Sequence, residues 1–164
     1  MGYYDAIVES YNKLYGFEQE KKYAQVLDSI KEGSIALDIG CGTGLFMEKI
    51  KDKFKLVVGV DSSLGMLKKA SKYENVVYVN CDATKLPFVD KVFDTVFSFS
   101  VMQDVKDKEK FLSEASRVCR SKAFISILKV NKDLQELKTL FSKYFVVEKV
   151  IEEEKDFIFV LNPK

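Results

Sequence analysis

Three short stretches of this chain combine residue types that can hold a small polar ligand. The first is Asp38-Ile39-Gly40-Cys41-Gly42-Thr43-Gly44. Alternating glycines let the backbone turn tightly and let a ligand approach the main chain, because no Cβ intrudes. The second is Asp61, which closes an apolar run. A carboxylate there can accept hydrogen bonds from both hydroxyls of a ribose. The third is Cys81-Asp82-Ala83, where an acid can accept from an exocyclic amine. Each has a plainer reading: an ordinary turn, a charge placed to suit the next helix dipole, a solvated loop aspartate. At the ends of successive strands, the three together describe a nucleoside cradle. A dinucleotide fingerprint, Gly-x-Gly-x-x-Gly, is not met, because Leu45 stands where its last glycine belongs.

Composition narrows the chemistry further. The 164 residues suit one domain and contain no histidine. That removes the commonest metal ligand and the commonest general base, so no metal site is expected. Cys41, Cys81 and Cys119 are odd in number and widely spaced, with no Cys-x-x-Cys, which suits a reducing cytoplasm rather than a disulfide framework. The net charge of +1 carries no basic field that would indicate nucleic acid, although a local patch can hide inside a neutral total. No apolar run reaches membrane-spanning length, and no basic start precedes an apolar core as in a signal peptide. A cytoplasmic, non-membrane protein is expected; composition is silent on its oligomeric state.

The elements that must position these residues follow from the apolar pattern. Helical spacing runs through the first thirty residues, with a break expected near Gly16. Strands are expected at 35–39, 56–61, 76–79, 93–99 and 124–128, and helices at 45–53, 64–72 and 107–120, with Ser62 as an N-cap of the second. Leu134, Leu137, Phe141 and Tyr144 mark a further helix. The chain closes with extended stretches at 145–151 and 157–161 around Glu152-Glu153-Glu154, an antiparallel hairpin. Alternating strands and helices predict a three-layer α/β/α Rossmann-like sandwich on a mainly parallel, seven-stranded sheet. Residues 1–33 form an N-terminal helical lid and residues 34–164 the core of a single domain. Ligands of such sheets sit beyond the carboxyl ends of the strands, where the three stretches fall.

From about residue 35 to the end, the combination resembles the class I S-adenosylmethionine (SAM)-dependent methyltransferases. The glycine stretch looks like that family's first motif. Val60-Asp61-Ser62-Ser63 with Met66 looks like the second, and Asn80-Cys81-Asp82-Ala83 before Leu86-Pro87-Phe88 like the third. Phe93-Asp94-Thr95-Val96-Phe97-Ser98 looks like the fourth strand. The resemblance implies that Gly40, Gly42 and Gly44 pass close to the methionine part of SAM, with the Cys41 carbonyl near its amino group and Asp38 supporting that group. It implies that Asp61 holds the ribose, with Ser62 in the same motif, that Asp82 and Ala83 hold the adenine, and that Met66 flanks its ring. Ser98, then Val101 to Asp104, would line the acceptor side, with Gln103 touching the acceptor or the cofactor. Tyr3, Tyr4, Asp5 and Tyr11 resemble the lid helix of the small-molecule branch, Tyr11 covering the cofactor.

The chain also departs from that pattern. Ser121-Lys122-Ala123 replaces a frequent Pro-Gly-Gly turn, Asp104 stands where histidine or tryptophan is frequent, and the Asn-Pro-Pro-Tyr signature of base-amine methylation is absent. Without histidine, Asp104 is the specific candidate for a general base; the alternative role for its charge is to favour the start of the following helix. The acceptor is not named by the sequence. The lid points toward a small, partly apolar molecule, whereas the lack of a large insertion after the fourth or fifth strand suits a macromolecule, RNA or protein, or a partner-assisted acceptor; the short chain without a clear base also suits a non-catalytic SAM-binding subunit that activates a partner enzyme.

Overall fold

The computed structural model describes residues 11–130 and 132–164. Seven strands form one sheet: β1 (Gly33–Ile39), β2 (Phe54–Asp61), β3 (Val76–Asn80), β4 (Phe93–Ser98), β5 (Cys119–Leu128), β6 (Phe145–Glu152) and β7 (Asp156–Pro163). Their spatial order is β3-β2-β1-β4-β5-β7-β6, parallel except for β7, which is antiparallel to both neighbours. The helices are α1 (Tyr11–Leu27), α2 (Leu45–Ile50), α3 (Leu64–Lys68), α4 (Lys108–Val118) and α5 (Leu134–Ser142). None among the described residues is long and apolar enough to cross a membrane.

Strand alternation divides the core between the two sheet faces. Leu37, Ile39, Val58, Val60, Val96 and Ile125 join one cluster with Phe111 and Leu112 of α4 and Phe141 of α5. Ala36, Val57, Phe97 and Phe124 join the other, with Tyr23 and Val26 of α1 and Phe46 and Met47 of α2. β7 lies inside the sheet, so Phe157, Phe159 and Leu161 serve one cluster while Ile158 and Val160 serve the other. Both faces being covered, the strands read as nearly continuous apolar runs.

This topology makes the crevice. β1 pairs with β2 on one side and β4 on the other. The chain leaves β1 for α2 on one face, and leaves β4 for α4 on the opposite face. The two loops diverge at the strand ends, which is the switch-point geometry that receives ligands.

Several boundaries differ from the sequence expectation. α1 passes through Gly16 without a break; one glycine costs a helix about 1 kcal/mol, which packing of the rest of the helix outweighs. β5 begins at Cys119 because Cys119 pairs with Phe93, so Ser121-Lys122-Ala123 is strand, not turn. α2 stops at Ile50 and continues as a tighter turn, Lys51–Lys53. The N-cap of α3 is Ser63, whose hydroxyl accepts from the Met66 amide at 3.1 Å, rather than Ser62. The cap of α4 is Asp107, which accepts from the Lys110 amide at 2.9 Å.

Helix α1 is tied down by rings and charge. Tyr23 packs against Phe46 and Phe99 at centroid distances of 4.7 and 5.4 Å. One turn position away, the fully buried Lys22 pairs with the fully buried Asp156 of β7 at 2.9 Å. Glu18 stands 3.7 Å from Lys22 but is engaged by Lys155 at 2.7 Å. A buried pair adds little net stability, whereas removing one partner strands a charge. Asp156→Ala is therefore expected to destabilise the protein by about 3–5 kcal/mol, and Lys22→Met with Asp156→Leu to restore most of that. Urea unfolding of the wild type, both single variants and the double variant measures the cycle; equal losses in all three variants would contradict it.

Candidate functional site

The glycine loop is stitched to β2 by its backbone. The Gly40 and Cys41 amides both donate to the Val60 carbonyl, at 2.7 and 3.0 Å, and the Gly44 amide donates to Cys41 O at 2.9 Å. Gly40 sits at φ +75°, and a Cβ there would lie 2.2 Å from Val101 Cγ2. Gly44 sits at φ +82°, where a Cβ would meet the Tyr78 hydroxyl at 2.5 Å. Both positions thus require glycine for backbone reach as well as for space.

Asp61 is the hinge of the site. Its Oδ2 accepts from the Gly42 amide at 2.9 Å and its Oδ1 from the Ser63 amide at 2.8 Å. One carboxylate thereby fixes the turn after β1 and the turn after β2.

A cavity of about 450 Å³ opens above these turns, a size that suits a cofactor. Gly40, Gly42, Asp61, Ser62, Met66, Asp82 and Ala83 all line it, as does Asp104 at the far end. Asp82 Oδ1 accepts from the Thr84 amide and hydroxyl at 2.7 and 2.8 Å, and these two bonds hold its carboxyl below the usual range. The loop that follows is anchored from α4: Glu114 accepts from the Leu86 amide at 2.8 Å, and Arg117 donates to the carbonyls of Phe88 and Leu86.

Five expected residues sit elsewhere, Gly44 among them, which packs against Tyr78 and not on the cavity wall. Ser98 is fully buried and donates to the Ile39 carbonyl at 3.0 Å, tying β4 to β1 beneath the cavity. Gln103 donates from Nε2 to Ser100 O at 2.6 Å and is not on the cavity wall. Cys41 and Asp38 line a second, smaller chamber of about 20 Å³ behind the glycine loop. Tyr11 lies in α1, but its side chain, like Tyr3, Tyr4 and Asp5, lies outside the described residues.

The structure adds residues that spacing did not reveal. Phe99 and Ser100 extend the cavity wall between the glycine loop and Asp104, and Val105 and Lys106 complete it. Ser100 has φ +58°, a strained conformation for a residue with a side chain. Gln19 and Tyr23 of α1 reach the smaller chamber. A helix remote in sequence offers no local signal for such a contact.

Asp38 is only 3 % exposed. Burial, and then the negative charge of Asp61, push its carboxyl well above the usual carboxylate range. For an acid whose folded pKa is raised, the stabilising contribution is present below its unfolded pKa and is lost as pH rises through the folded value. Ligand-free Asp38→Asn should therefore gain on the wild type as pH rises between about pH 5 and pH 8. Thermal unfolding of both proteins across that window gives the difference curve; a flat one would contradict the assignment.

Residues 37–127 match the model of the methyltransferase domain family. An uncharacterised protein of Methanocaldococcus jannaschii is 36 % identical over 124 residues, covering 72 % of this chain and 46 % of its own length. The demethylmenaquinone methyltransferase of Staphylococcus aureus is 31 % identical over 145 residues, covering 82 % of this chain and 60 % of its own. The chain thus spans about half the length of the curated relatives it matches. A Haloferax volcanii methyltransferase in complex with the Trm112 methyltransferase activator has a TM-score of 0.83 at 15 % identity, over 99 % of this chain and 98 % of that one. With the strand order, the three positive-φ glycines and Asp61 in place, the chain belongs to the methyltransferase domain family and has its class I fold.

Proposed function

We propose that this protein transfers the methyl group of SAM to a small, partly apolar acceptor. The observation that carries the proposal is the single cavity running from Asp82 and Ala83, past the glycine loop and Asp61, to the segment at Val101 and Asp104. The residues present fit the cofactor: Gly40 and Gly42 present main chain to the cavity, and Asp61 and Asp82 line the same space. When bound, SAM supplies a methyl group activated by its sulfonium.

The chain's own part is placement and exclusion of water. Gly40 and Gly42 hold the main chain against the methionine side, Asp61 accepts from the ribose hydroxyls, and Asp82 accepts from the adenine amine beside Met66. Phe99, Val101 and Val105 give the acceptor end an apolar wall. Holding two reactants in line contributes about 7–11 kcal/mol toward the barrier. Asp104 takes the acceptor's proton where the acceptor is a hydroxyl or an ammonium. Its place on the wall supports that role over helix capping, because Asp107 caps α4. The demethylmenaquinone methyltransferase relative supports a small-molecule acceptor.

A second reading has support from the Haloferax structure, which pairs a methyltransferase of this fold with an activator protein. In that reading this chain needs a partner, and its acceptor is RNA or protein.

Incubation of the purified chain with methyl-labelled SAM and fractionated extract tests the proposal. Label in a small, organic-extractable product is the expected result; label in RNA or protein, or none until a partner protein is added, favours the second reading. On the acceptor so found, Asp104→Asn should lower kcat by about 10²–10⁴ while leaving S-adenosylhomocysteine affinity unchanged. A full-rate variant would remove Asp104 from the mechanism.

A further inference from the structure

Behind the glycine loop lies the chamber of about 20 Å³, room for one water-sized group. Gly40 and Phe99 line both this chamber and the main cavity, so the two adjoin. Its polar lining includes the carboxylate of Asp38 and the side-chain amide of Gln19. Gln19 is 6 % exposed, and its Oε1 is buried without a hydrogen-bond partner. A buried carbonyl acceptor is costly to leave unsatisfied.

A neighbouring cation is already committed. Lys22 Nζ pairs with Asp156 at 2.9 Å and donates to Ser100 Oγ at 2.5 Å. Ser100 in turn stands 3.5 Å from Gln19 Nε2, at the outer limit of a hydrogen bond. The network thus takes up the N–H side of the Gln19 amide and leaves its carbonyl for the chamber. A donor for it has to be compact and to enter from the main cavity. An α-ammonium group on an amino-acid-bearing nucleoside meets both conditions.

We propose that Gln19, on helix α1, is a cofactor-contact residue whose Oε1 accepts from the α-ammonium group of SAM beside Asp38, with Lys22 and Ser100 as the positioning residues that orient its amide. The helix is then part of the cofactor site and not only its cover. A nucleoside that lacks the amino-acid arm gains nothing from Gln19.

The inference rests on the SAM reading, and two ligands separate its failure from that one's. Calorimetry compares S-adenosylhomocysteine with 5′-methylthioadenosine, which has the nucleoside but no ammonium. In Gln19→Leu, affinity for S-adenosylhomocysteine should fall by about tenfold or more, the scale of a hydrogen bond to a charged group. Affinity for 5′-methylthioadenosine should not change, which also certifies the fold. Gln19→Glu keeps an acceptor and should recover most of the loss. An equal loss for both ligands, no loss for either, or a Glu variant as weak as the Leu variant would overturn the assignment. A wild-type chain that bound neither ligand would instead overturn the cofactor reading itself.

Discussion

At the end of β2 one carboxylate takes hydrogen bonds from two separate turns. Asp61 accepts from Gly42, which follows β1, and from Ser63, which opens α3. The same loop is held to β2 by the Val60 carbonyl, which accepts from the Gly40 and Cys41 amides. The rest of the site is referred to this point. The cavity wall at Asp82 follows β3, whose Asn80 donates from its side chain to the Asp61 carbonyl at 2.8 Å. The segment after β4 comes down on Gly40 through Val101. A carboxylate that fixes two turns at once makes a rigid wall, because both turns are held before anything binds.

Asp38 sets the electrostatics of the smaller chamber. It is buried next to the negative charge of Asp61, and both burial and that charge disfavour its ionised form. Burying an acid in this way costs stability in the ligand-free chain. In the proposed reading that cost is offset when a cationic cofactor group arrives, so affinity and ligand-free stability would trade against each other at this residue. In the same reading the absence of histidine is no obstacle, since methyl transfer from a sulfonium asks more for alignment than for proton transfer.

Helix α1 joins the core through interactions of two kinds. Tyr23 enters an aromatic cluster with Phe46 and Phe99, which buries area without fixing rotation tightly. Lys22, Gln19 and Ser100 add directional bonds that do fix it. At the surface, Lys155 to Glu18 and Lys21 to Glu154 connect the same helix to the hairpin end of the sheet. The exposed pairs contribute little individually. The buried ones decide register, because a displaced helix would leave Lys22 or Asp156 uncompensated.

Much of this protein was legible in its residues. The order of strands and helices, the antiparallel closing hairpin and the crevice after β1 and β2 follow from apolar period and turn chemistry, which act within a dozen residues. Gly40, Asp61 and Asp82 could be picked out because each stands at or just beyond the carboxyl end of a strand, and all three line the cavity. What lay beyond reach involves partners distant along the chain. Ser98 belongs to the right strand, but its pleat position turns it to Ile39 instead of the cavity. Cys119 to Ala123 became strand because β4 was there to pair with them. The part played by Gln19 and Lys22 exists only once α1 lies across Ser100 and Asp156, residues 78 and more positions away. Local sequence therefore determined the elements and the cradle. Tertiary packing alone decided which polar groups are buried together, because burial is set by what lands opposite and not by what stands next in the chain.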